Sequence, residues 1–154
     1  MFLSFSKYHG HGNDFILIDD RQGLFPLKDP ALIRRLCDRH LGIGADGLIV
    51  FQSSQRGHAR MRIFNSDGGE AAMCGNGLRC FILFLSDLNL LEKRYLIETQ
   101  TALIPCWREG ALVSSSYPSA KVLHWGLGLR DKNPLEAFVV DVGVTHAVVF
   151  VEDL

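Results

Sequence analysis

Cys74 sits in the segment Asn65-Ser66-Asp67-Gly68-Gly69-Glu70-Ala71-Ala72-Met73-Cys74-Gly75-Asn76-Gly77, and its neighbours are of the kinds a reactive thiol needs. Gly75 and Gly77 remove side chains, so the backbone can approach a ligand closely. Asn76 supplies a short amide that can bind a carboxylate or cap a helix. The run Leu78 to Leu85 is helix-compatible, which places Cys74 at a helix N-terminus. There the free N–H groups and the macrodipole favour an anion, either a thiolate or a docked substrate carboxylate. A thiolate beside a bound α-carboxylate can take the proton from the carbon between them. The same residues also fit a tight turn around an inert, buried thiol. Taken alone they leave both readings open.

The remaining candidates are weaker on their own. Asn13 and Asn65 adjoin glycine-rich turns, where asparagine is common because it tolerates left-handed geometry. His146 opens a strand, and a lone histidine there is more often structural than catalytic. Cys74 and Cys80 are too far apart in sequence for the short spacing of a common zinc pair, and no histidine or cysteine nearby completes a set. No metal site is expected. Gly42-Ile43-Gly44-Ala45-Asp46-Gly47 carries the letters of a dinucleotide-binding fingerprint, but that fingerprint works as strand, glycine turn, then helix. The order expected here is helix, turn, strand, so the nucleotide reading is set aside.

The elements that must position these groups form a mixed α+β pattern, mostly antiparallel, around a buried helix. Phe2 to Tyr8 and Phe15 to Ile18 read as strands separated by the turn His9 to Asp14. Asp29-Pro30 opens a helix, with Asp29 as cap and Leu32, Ile33, Leu36 and Cys37 on one face. Gly42 and Gly44 end it. Gly47 to Gln52 and His58 to Asn65 read as paired strands, and the buried helix runs from Gly75 towards Asn89. Further strands are expected at Tyr95 to Glu98, Ala102 to Trp107, Ala111 to Ser115, Phe138 to Val142 and Ala147 to Val151. Trp125 to Pro134 reads as a loop. Ser116 to Ser119 marks a boundary, giving a first lobe over 1–116 and the beginning of a second over 117–154.

The 154 residues are 47% hydrophobic and 21% charged, with a formal net charge of −1. That is the composition of a soluble globular protein. The charge forms no basic stripe, so no nucleic-acid partner is expected. The N-terminus does not read as a signal peptide, and no stretch approaches the roughly 18 apolar residues of a membrane span. Four scattered cysteines do not form the dense framework of a small secreted domain. A cytoplasmic protein with free thiols and no membrane association is the expectation.

Taken together, three segments resemble diaminopimelate epimerases. His9-Gly10-His11-Gly12-Asn13-Asp14-Phe15 is similar to their opening signature, and Gly42 to Leu48 to their next glycine loop. Met61 to Gly68 and Met73 to Cys80 are similar to their active-site segment. Order and spacing agree across residues 5 to 80, and the likeness continues more weakly to the end. Proline racemases and the phenazine-pathway relatives share the thiol but typically carry histidine at position 76. The resemblance implies two similar α+β lobes holding substrate between them. It implies epimerisation of diaminopimelate (LL to meso) at an α-carbon without pyridoxal phosphate or metal, one thiolate removing the proton and a second thiol delivering one to the opposite face. By position Cys74 is one of those thiols. Asn13, Asn65 and Asn76 would bind the amino-acid substrate with the backbone of Gly75, and His146 would assist.

Two departures qualify this picture. The family usually carries Gly-Asn-Pro-His where this chain has Gly143-Val144-Thr145-His146, and Val144 cannot hydrogen-bond through its side chain. A hydrogen bond to a charged group is worth about 1.5–3 kcal/mol, roughly tenfold or more in binding, so weaker or less selective recognition of the distal end of diaminopimelate is expected. Family members also continue through a whole second lobe that supplies the partner cysteine. The expectation is half a site, completed by a second lobe or chain. The rival readings are a related racemase of altered selectivity and a fragment that only binds ligand. A homodimer is compatible with the sequence, which specifies no oligomeric state.

Overall fold

The computed structural model describes residues 3–90, 92–117, 119–128 and 136–151. The chain divides after Ser116 into two compact units. In the first unit the elements run β1 (Ser6–Gly10), β2 (Asn13–Asp19), α1 (Pro30–Cys37), β3 (Gly47–Gln52), β4 (Ala59–Asn65), β5 (Glu70–Ala71), α2 (Gly75–Asp87), β6 (Arg94–Glu98), β7 (Leu103–Glu109) and β8 (Leu112–Ser115). Seven strands lie in the order β1-β2-β3-β4-β6-β7-β8, and β5 pairs with β4 off that path. Most pairings are antiparallel, but β2 with β3 and β4 with β6 are parallel.

The continuous apolar runs Phe15 to Ile18 and Leu48 to Phe51 mark strands covered on both faces. One face meets α1: Ile16, Ile18, Leu48, Val50 and Phe64 pack with Ile33 and Cys37. The other meets α2, where Phe51 and Phe81 stand edge to face at 5.6 Å between ring centroids. Leu78, Phe81 and Ile82 of α2 are fully buried, as are Ile16, Leu17, Leu48 and Ile49 of the sheet. Each such side chain contributes roughly 1.5–3 kcal/mol by leaving water.

Asp29 caps α1, accepting from the N–H groups of Ala31 (3.1 Å) and Leu32 (3.0 Å), and Pro30 occupies the first turn. The helix ends at Cys37, and the glycine turn that follows folds back over it. The N–H groups of Ile43 and Gly44 donate to Leu36 O at 2.9 and 3.0 Å, and that of Ala45 to Cys37 O at 3.0 Å. Gly42 is required there, because a Cβ would lie 1.9 Å from the Arg35 carbonyl oxygen. The turn delivers the chain directly into β3, so the order around Gly42 to Gly47 is helix, turn, strand.

The structure differs from the sequence reading in several places. The first hairpin turn is only His11-Gly12, both at positive φ (55° and 82°), as a type I′ two-residue hairpin requires. His9, Gly10, Asn13 and Asp14 therefore belong to strands. The short β5 was not expected from the sequence. In the second unit β9 (Lys121–Gly128), β10 (Glu136–Asp141) and β11 (Thr145–Val149) form an antiparallel sheet in the order β11-β10-β9. Trp125 to Gly128 thus lie in a strand rather than a loop. The remainder of that expected loop, 129–134, is outside the described residues. Within this sheet Phe138 stands between Trp125 and Phe150, edge to face with each. Among the described residues no helix is long and apolar enough to cross a membrane.

Candidate active site

Cys74 is the N-cap of α2, in extended geometry (φ −147°, ψ 123°). Its backbone carbonyl accepts the N–H of Leu78 at 2.8 Å, the first bond of the helix. Its sulfur accepts the N–H of Gly77 at 3.5 Å. The N–H groups of Gly75 and Asn76, first in the helix, have no acceptor in a preceding turn. They follow Cys74 directly in the chain, at the positive end of the helix dipole. Two glycines permit this packing. A Cβ on Gly77 would meet the Cδ1 atoms of Ile49 and Ile63 at 3.0 Å, and one on Gly10 would lie 3.2 Å from Asn76 O.

The hairpin of β1 and β2 brings Asn13 to the same place. Asn13 Oδ1 lies 3.8 Å from Cys74 Sγ, which donates its S–H towards it, and 3.3 Å from Asn76 Nδ2, which also donates to it. Asn13 Nδ2 donates to Asp46 Oδ2 at 3.0 Å. Arg79, one helical turn after Asn76, donates to Asn76 Oδ1.

Behind Asn13 lies a small ion network. Arg39 reaches Asp14 at 2.7 Å and Asp46 at 2.8 Å, and Lys7 reaches Asp14 at 2.8 Å. The Arg39 guanidinium, with Lys7 beside it, holds the Asp14 carboxyl well below the usual carboxylate range despite partial burial. The Asn13 amide and the Asp14 N–H lower Asp46 in the same direction.

The four cysteines are free thiols, and only Cys74 is not buried. Burial pushes Cys37 and Cys80 up to about 11 and Cys106 up to about 12. Among the described residues no group of three or more His, Cys, Asp or Glu side chains converges to hold a metal ion. A cavity of about 320 Å³ lined by Phe51, His58, Leu85 and Tyr95 adjoins the C-terminal part of α2 and does not include Cys74.

Of the residues singled out from the sequence, the fold brings Cys74, Gly75, Asn76 and Asn13 together. Asn65 ends β4 opposite Gly47, in register with the strand that follows Asp46. Its N–H closes a turn onto Gly69 O at 2.8 Å. Among the described residues no hydrogen bond joins its side chain to the Cys74 cluster. His146 belongs to the second unit, where it pairs across to Val140 and its Nδ1 lies 2.8 Å from Val144 O. Asp46, Arg39 and Arg79 escaped the sequence reading. The available signal for Asp46 was its place in a glycine turn already found to precede a strand.

A thiol at a helix N-terminus, with two amides and free N–H groups around it, defines a site for an anion next to a potential base. The diaminopimelate epimerase family model matches residues 5–106. The chain is 57% identical over 106 residues to a diaminopimelate epimerase of Synechocystis, covering 68% of this chain and 38% of the relative. It is 42% identical over 174 positions to that of Picosynechococcus, and 35% over 169 to that of Archaeoglobus fulgidus. Both alignments cover all of this chain, and they cover 62% and 60% of those relatives. Since the chain has 154 residues, both relatives carry residues within the matched stretch that it lacks. Among solved structures, a probable proline racemase from Agrobacterium radiobacter with bound carbonate matches at TM-score 0.72 and 15% identity. That match covers 96% of this chain and 52% of the other. A hydroxyproline epimerase from Agrobacterium vitis matches at 0.70 and 16%, covering 94% and 50%.

The chain belongs to the diaminopimelate epimerase family. Its fold is the α+β fold of the racemase and epimerase structures it matches. It spans between 38% and 62% of the length of these curated relatives.

Proposed function

We propose that this chain is the first lobe, with the beginning of the second, of a cofactor-independent isomerase that epimerises diaminopimelate at one α-carbon (LL to meso), in lysine and cell-wall biosynthesis in the cytoplasm. The observation that carries this reading is Cys74 as N-cap of α2, with its sulfur accepting the Gly77 N–H and facing the Asn13 amide oxygen. A substrate α-carboxylate docks on the N–H groups of Gly75 and Asn76, which both orient it and stabilise the charge that develops when the α-proton leaves. Cys74 as thiolate takes that proton, and the electron pair moves into the carboxylate-stabilised carbanion. A second thiol returns a proton to the opposite face, so the step is redox-neutral. Asn13, Asn65 and Asn76 hold the remaining polar groups of the substrate, and His146 is the assisting histidine by its family position.

Cys37, Cys80 and Cys106 are at most 3% exposed, and burial disfavours their thiolates. None is suited to be the second acid. That group comes from a further lobe or chain. The absence of a side-chain donor at Val144 favours one alternative, an amino-acid racemase of different selectivity on the same scaffold.

The test is protection of Cys74 from iodoacetamide, followed by mass spectrometry. Diaminopimelate should slow alkylation at concentrations where lysine does so less. Equal rates with and without diaminopimelate would defeat the reading.

A further inference from the structure

The side chains around Cys74 form one continuous line: Asp46, Asn13, Asn76, Arg79. A carboxylate can only accept and a guanidinium can only donate, whereas a side-chain amide can do either according to which way it faces. The charged ends therefore dictate the middle. Asp46 takes the N–H₂ of Asn13, leaving the Asn13 oxygen to face Cys74 and Asn76. Arg79 takes the oxygen of Asn76, leaving its N–H₂ to face the Asn13 oxygen. Turning the Asn13 amide over would set its oxygen against the Asp46 carboxylate, and turning Asn76 over would set its N–H₂ against the guanidinium.

Asp46 is itself held from three directions. Its Oδ1 accepts from Arg39 at 2.8 Å, its Oδ2 accepts the N–H of Asp14 at 3.2 Å, and its own N–H donates to Asp14 Oδ1 at 3.1 Å. The glycine turn 42–47, which suggests a nucleotide site by its letters alone, has this different use. It brings Asp46 to the start of β3, where parallel pairing with β2 sets it beside Asn13.

We propose that Asp46 and Arg79 are positioning residues, which lock the amides of Asn13 and Asn76 and thereby keep an oxygen, rather than an N–H, turned to the Cys74 sulfur. The inference rests on Cys74 being the site thiol, as proposed above. The lock matters because an oxygen facing the sulfur accepts its S–H, whereas an N–H facing it would donate to the thiolate and change its reactivity before any substrate arrives.

A double-mutant cycle on the full chain tests this, with the rate of Cys74 alkylation by iodoacetamide at pH 7 as readout. It needs neither substrate nor turnover, so its failure is separable from failure of the epimerase reading. Asp46→Asn keeps shape but can donate as well as accept. It should free the Asn13 amide and raise the alkylation rate about three- to tenfold, the scale of one ordinary hydrogen bond gained or lost. In an Asn13→Ala background the same substitution should change the rate less than about twofold, since the amide through which Asp46 acts is gone and the Asp46 side chain faces solvent. Arg79→Gln should likewise act only while Asn76 is present. Circular dichroism melting verifies folding, and Asp46→Ser replaces Asp46→Asn if the latter does not fold. No change with Asp46→Asn, or the same change with and without Asn13, would overturn the proposal.

Discussion

Asn13 points its side-chain oxygen at Cys74, 3.8 Å from the sulfur, across a sequence separation of 61 residues. The two residues meet because a hairpin turn and a helix N-terminus are pressed together by glycines at positions 10 and 77. One supplies an amide, the other a thiol at the N-cap of α2.

The thiols should separate cleanly by reactivity. Cys37, Cys80 and Cys106 are buried and pushed up to about 11, 11 and 12, whereas Cys74 is only half-buried. Brief iodoacetamide treatment near pH 7.5 should label Cys74 alone, with the other three labelled only in denaturant. Peptide mapping by mass spectrometry gives the result directly. Labelling of any buried thiol at a comparable rate would mean that the core opens far more easily than its packing implies.

Two glycines should behave differently when replaced by alanine. At Gly42 the new methyl would lie 1.9 Å from Arg35 O, a backbone atom that cannot swing aside. The expected loss is about 1–3 kcal/mol or more of stability, measured by urea unfolding. At Gly10 the methyl would press on the Asn76 backbone at 3.2 Å. There the effect should fall on the site: slower Cys74 chemistry with a thermal midpoint within a few degrees of wild type.

Acid should weaken the first unit through Asp14. Its carboxyl is depressed in the folded chain, chiefly by the Arg39 guanidinium. A depressed folded value means that stability is fully present above the unfolded carboxylate range, near pH 4, and is lost as pH falls below it towards the folded value. Melting temperatures between pH 5 and pH 2 should therefore fall less steeply in Asp14→Asn than in wild type. Parallel curves for the two proteins would remove Asp14 from the acid response.

Val144 should limit recognition of diaminopimelate if its position contacts the distal end of the substrate, as the family resemblance implies. Val144→Asn restores a hydrogen-bonding side chain on an exposed position and should tighten binding about tenfold or more by calorimetry. Unchanged affinity and selectivity would detach this position from substrate recognition.

Much of the frame was legible because it rests on local chemistry. Asp29-Pro30 signals a helix start by capping and fixed φ, and Phe15 to Ile18 and Leu48 to Phe51 signal strands by apolar runs too short for helices. Cys74 at a helix N-terminus followed from the glycines and the apolar run behind it. What escaped depends on contacts distant in sequence. Nothing local to Asp46 says that it faces Asn13, and nothing local to Glu70-Ala71 says that β4 will pair with it. His11 at positive φ made the first turn tighter than the glycine count suggested, which drew Asn13 into the strand. Trp125 to Gly128 reads as loop by its glycines, yet Lys121–Gly128 pairs with β10 through a bulged register.

The central claim is that Cys74 takes the α-proton of diaminopimelate. Proton NMR of diaminopimelate in D₂O, with this chain and with its Cys74→Ala variant, tests it most directly. With Cys74 as the one thiol placed to act, the α-proton signal should be lost slowly with retained configuration, and not at all in the variant. Exchange that persists in Cys74→Ala, or no exchange by a folded wild-type chain that binds diaminopimelate, would contradict it.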